Sequence, residues 1–178
     1  EMNMCEGKIF GKLVVYALPL VLTNVLQLLF NAADVAVLGI FVSDDAVAAV
    51  GATGALINLI IGLFVGLSVG ANVLVARFAG EKNMDAAHKT VGTSVIVSLI
   101  AGVFLAFIGF FFARTFLEWT DCDPDVLDMA TKYLQIYFIG MPIMMLYNFC
   151  ASILRAVGDT MRPLIFLIIG GVINVILN

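Results

Sequence analysis

The chain has 178 residues, of which 62% are hydrophobic and only 12% charged, with nine Lys+Arg against thirteen Asp+Glu. Soluble domains run about 45–50% apolar and about 25% charged, so this composition defines an integral membrane protein and excludes a disordered chain, a secreted disulfide scaffold and a coiled coil. A net charge of −4 leaves no basic field to hold a nucleic-acid backbone, and three scattered cysteines (Cys5, Cys122, Cys150) give no disulfide or metal framework.

Polar punctuation predicts five membrane helices in an all-α protein, at about 12–40, 46–76, 90–113, 131–154 and 163–178. The first four exceed the ~20 residues that a helix needs to cross a bilayer, and lipid offers no partner to the free N–H and C=O groups of any other form. The first run is also too long for the core of a signal peptide. The fifth, roughly 16 residues long, reaches only ~24 Å of a ~30 Å hydrocarbon core. Asn178 would then lie within that core, so the sequence reads as cut in mid-helix.

In the first helix, Asn24, Gln27, Asn31 and Asp34 follow at spacings of 3, 4 and 3 residues. At ~100° per residue they share an arc of about 80°, a stripe that must face protein or a water-filled cavity rather than lipid. Asp34 is the one acidic side chain well inside any predicted span, ten residues before Asp44 and so roughly 15 Å below the outer boundary. A carboxylate at that depth can alternate between a proton and a metal cation, as an ion-coupled carrier requires. A purely structural carboxylate bonded to neighbouring helices is the plainer alternative. Pro19 removes a backbone hydrogen bond from the same helix and permits a bend.

The second helix carries Gly54, Asn58, Gly62, Gly66 and Gly70 at a constant spacing of four, which predicts a ridge for close helix packing. Tyr137, Met141, Met144, Met145, Asn148 and Ser152 fall near one face of the fourth helix. Soft methionine and aromatic surfaces suit ligands of varied shape, so Tyr137, Met141, Met145 and Asn148 form a candidate substrate wall, with ordinary packing as the competing reading. In the fifth helix, Asn174 and Asn178 stand four apart on one face, where their carbonyls could complete an oxygen site for a small cation or simply bond between helices.

The turns Arg77-Phe-Ala-Gly80-Glu81 and Arg155-Ala-Val-Gly158-Asp159 share an Arg-x-x-Gly-acid pattern. Each glycine is the expected left-handed residue closing a helix, and the recurrence hints at a repeated helix-pair template. With the N-terminus inside, the inner segments hold Lys8, Lys12, Arg77, Lys82, Lys89, Arg155 and Arg162 while the outer side keeps Arg114 and Lys132, a split of seven to two. That bias predicts a cytoplasmic N-terminus. No His-Glu-x-x-His and no phosphate-binding glycine loop occurs, and His88, the single histidine, falls in an inner loop. Enzymatic chemistry is not expected.

Taken together, Pro19, Asp34, the segment Leu154-Arg-Ala-Val-Gly158-Asp159-Thr160-Met-Arg-Pro163 and Asn174-Val-Ile-Leu-Asn178 make the chain resemble the N-terminal lobe of multidrug and toxic compound extrusion (MATE) transporters, from about Lys8 to Asn178. The resemblance implies five helices of a twelve-helix, two-lobe protein in the plasma (inner) membrane, lacking here the C-terminal lobe. It implies export of cationic or amphipathic small molecules in exchange for Na⁺ or H⁺, with no other cofactor. By the same resemblance Asp34, Asn174 and Asn178 bind the coupling ion, and Pro19 is a hinge. Some relatives have aspartate where Asn178 stands, so this site carries less negative charge. A lipid-linked saccharide flippase of the wider superfamily is the alternative, disfavoured because the predicted spans carry no cationic lining for phosphate. A non-transporting membrane fragment or subunit is another.

Overall fold

A computed structural model describes residues 9–120 and 122–177, all built from six α-helices joined by short turns. These are α1 (Ile9–Phe41), α2 (Asp44–Gly80), α3 (Met84–Trp119), α4 (Pro124–Ile139), α5 (Met141–Ala156) and α6 (Met161–Leu177). The expected fourth span is therefore two helices, bent by 52° between α4 and α5. The cause is local: Pro142 has no N–H to continue the ladder, and Gly140 closes α4 with a tight bond to the Tyr137 carbonyl at 3.1 Å. By length and apolarity three helices can cross a membrane, or four if the bent pair counts as one span; α6, at 17 residues, falls in a shorter class.

The helices also begin earlier than their apolar runs, because side-chain caps rather than hydropathy fix the ends. Ser43 accepts from the Ala46 N–H, Asn83 from Ala86 (both 3.2 Å), and Asp123 from Asp125 at 3.0 Å with Pro124 in the first turn. Residues 84–89, His88 included, are thus the opening turns of α3 rather than a loop. The two Arg-x-x-Gly-acid turns do not close alike. Gly158 takes the expected left-handed conformation (φ 83°), but Gly80 stays helical and Lys82 turns left-handed instead (φ 56°). The first turn runs on to its cap at Asn83, whereas Asp159 both follows Gly158 and caps α6, accepting from Arg162 N–H at 3.1 Å.

One core joins α2, α3, α4 and α5 around Leu105, Ala113, Leu117, Leu134, Phe138 and Met145. Two α3 glycines allow this closeness: a Cβ at Gly102 would sit 2.5 Å from the Pro142 Cα, and one at Gly109 would collide with the Phe138 ring. The α2 ridge corrects the sequence expectation, since a Cβ on Gly54, Gly62, Gly66 or Gly70 would meet nothing within 4 Å. Helix α2 packs through its other faces, with Ala49 and Thr53 buried and Ile57 and Ile60 against the core. A polar clasp holds it to α5, the Asn72 amide donating to the Ser152 carbonyl (2.6 Å) and the Ser152 hydroxyl to the Ser68 carbonyl (3.1 Å). Helices α1 and α6 pack on each other and touch this core through α2 and α5.

Candidate ion site on the first helix

Helix α1 is held at two levels with Pro19 between them. Below, the Tyr16 hydroxyl donates to the Arg155 carbonyl at the end of α5 (3.0 Å). Above, the Phe30 ring fills the space that Gly171 of α6 leaves for want of a Cβ. Pro19 is buried, and the Thr23 hydroxyl donates to its carbonyl at 2.7 Å. The helix is continuous through this point, but Pro19 cannot donate to the Val15 carbonyl, so the backbone ladder is weakest there.

The Phe30–Gly171 contact also sets the depth of the polar groups. Three passes of chain separate α1 from α6, counting the bent α4–α5 pair as one, so the two run in the same direction. Asp34 lies four residues beyond Phe30, and Asn174 three beyond Gly171. Each therefore lies about one helical turn beyond this contact on its own helix. Asp34 is half-buried; Asn24, Gln27, Asn31 and Asn174 are exposed on this lobe. Asn178 lies outside the described residues.

Tyr133 of α4, a residue the sequence pattern did not single out, is half-buried within electrostatic range of the Asp34 carboxylate. Tyr133 pairs with Tyr137 one turn on, ring centres 6.4 Å apart, and the Tyr137 hydroxyl reaches the Met144 sulfur at 3.4 Å. Asn148 turns its amide back to the Met144 carbonyl (3.0 Å). The α1 and α4 backbones do not pack directly on each other. Among the described residues no three His, Cys, Asp or Glu side chains converge, so a cation at Asp34 would draw its other ligands from neutral oxygens.

The expected substrate wall is divided. Met141 and Met145 are completely buried in the core, because the break at Gly140 rotates α5 and turns them toward α3 and α2. Tyr137 and Asn148 are half-buried and Met144 is 38% exposed, so Met144 presents the surface that Met141 and Met145 do not. Replacing Met145 by alanine is therefore expected to destabilise the protein, by about 2–5 kcal/mol in the manner of a core truncation. Thermal unfolding in detergent measures this, and an unchanged melting temperature would remove Met145 from the packing role.

An all-helical bundle with membrane-length apolar helices and a carboxylate at depth defines a multi-pass helical membrane protein. Residues 19–178 match the MatE family, and the chain belongs to it. It is 32% identical over 172 residues to "Probable multidrug resistance protein YoeA" of Bacillus subtilis (strain 168), covering 97% of this chain and 37% of that protein. Two solved structures are also similar, a MATE in the bent conformation (TM-score 0.86, 26% identity, 96% of this chain and 38% of that one) and a MATE in the straight conformation (0.84, 25%, 93% and 36%). The chain thus spans less than two fifths of the length of these relatives.

Proposed function

We propose that the protein, in its natural full length, is a secondary antiporter that exports cationic or amphipathic compounds across the plasma membrane in exchange for Na⁺ or H⁺. Its family consists of transporters, and a curated relative is named for multidrug resistance. The observation that carries the ion-coupled reading is the placement of Asp34 and Asn174 about one turn beyond the Phe30–Gly171 contact on the paired helices α1 and α6. One carboxylate and neutral oxygens suit a monovalent cation or a proton. Occupancy by either neutralises Asp34 and alters how α1 sits in the bundle, and Pro19 supplies the place for α1 to bend. In this reading the helices, with the bent α4–α5 pair counted as one span, are five of the six in one lobe of a two-lobe protein with twelve spans, rocking about the central site, with a cytoplasmic N-terminus.

The test is transport by the natural full-length protein in proteoliposomes. A cationic dye should move out when an inward Na⁺ or H⁺ gradient is imposed and stop when that gradient is dissipated. Dye movement indifferent to both gradients would sink the antiport reading.

A further inference from the structure

We infer that the cleft between α2 and α3 at their joined ends binds an anionic phospholipid of the adjacent leaflet. The cleft has a volume of about 490 Å³ and is lined by Leu67, Gly70 and Leu74 of α2, Val97 of α3 and Phe149 of α5 in its apolar part, with Lys89 and Thr93 of α3 at its polar end. Along α2 the lining runs from Leu67 to Leu74, about 10.5 Å by helical rise, which accommodates the upper part of an acyl chain.

Charge settles the kind of lipid. Lys89 is exposed and forms no ion pair among the described residues. Arg77 follows Leu74 by three residues and Gly70 by seven, on the same helical face, so a second cation stands above the cleft from α2. Arg77 shares its charge with Glu81 at 2.9 Å, and Asp85 lies one turn before Lys89, which leaves Lys89 as the main contact for a phosphate. The Thr93 hydroxyl hydrogen is committed to the Lys89 carbonyl (2.9 Å), so its oxygen remains to accept from a hydroxylated headgroup. Basic pockets between membrane helices near the surface select anionic lipid in this way. The glycine face of α2 gains a purpose: Gly70 keeps the floor of the cleft open, with nothing within 4 Å of a Cβ placed there.

The experiment is native mass spectrometry of the natural full-length protein titrated, at low salt, with phosphatidylglycerol or phosphatidylcholine of identical chains. Wild type should retain phosphatidylglycerol in preference. Lys89→Gln should weaken that retention about fivefold, the equivalent of about 1 kcal/mol per basic side chain, and leave phosphatidylcholine unchanged. Gly70→Phe fills the floor and should reduce retention of both lipids, while Lys132→Gln, at the opposite end, should change neither. Melting temperatures within the wild-type range show that each variant is folded. Equal retention of the two lipids, absence of retained lipid, or a preference that survives Lys89→Gln would each overturn the assignment. Transport need not change in any arm, so this outcome is separable from that of the antiport test.

Discussion

Asp34→Asn in the natural full-length protein is expected to reduce ion-driven export to the level of protein-free vesicles while leaving insertion, abundance and substrate binding intact. The amide keeps the size of the carboxylate and much of its hydrogen bonding, so α1 should retain its packing on α6 through Phe30 and Gly171. What is lost is the charge that a proton or Na⁺ would neutralise in each cycle. Removing a charge from membrane depth costs the fold little and can raise thermal stability slightly. The measurement is dye efflux under an imposed Na⁺ or H⁺ gradient, with membrane abundance and dye binding determined in parallel. Wild-type efflux in this variant would show that coupling lies elsewhere. Loss of dye binding as well would mean that Asp34 contacts the substrate directly, and that the ion and the drug compete for one carboxylate.

The part of this site that was legible in the sequence is the part written along a single helix. Spacings of 3, 4 and 3 place Asn24, Gln27, Asn31 and Asp34 on one arc whatever surrounds them, and their polarity fixes that arc as one that lipid cannot cover. Spacing is silent about what the arc meets. The α2 glycines and the α3 glycines look equally suited to packing, yet Gly102 and Gly109 receive neighbours and Gly62 and Gly66 receive none. The electrostatic proximity of Asp34 and Tyr133 was likewise hidden, because it joins residues 99 positions apart on helices whose backbones do not pack. The division of the methionine wall did leave a local trace. Gly140-Met141-Pro142 is a helix-breaking sequence, and reading it as such would have shifted the face of every residue from Met141 to Ser152.

The same contrast yields the sharpest stability test of the fold, a comparison of Gly102→Ala with Gly66→Ala. The new methyl group at Gly102 would stand 2.5 Å from the Pro142 Cα and 3.2 Å from the Met141 carbonyl oxygen, both backbone atoms that no rotamer change can withdraw. Helices α3 and α5 would have to separate at their crossing, beside the buried side chains of Met141 and Met145. Overpacking of this kind costs typically about 1–3 kcal/mol, and the upper end is expected here because the obstruction is main chain. At Gly66 the methyl group meets nothing within 4 Å, so only the helical preference of alanine operates, worth up to about 1 kcal/mol in favour of the variant. Thermal unfolding in detergent should therefore move in opposite directions, down for Gly102→Ala and level or upward for Gly66→Ala. Equal losses would show that the α2 ridge is a packing surface closed by a neighbour outside these six helices. A neutral Gly102→Ala would show that α5 pivots freely at the Gly140 break, which would turn that break from a fixed bend into a joint between α4 and α5.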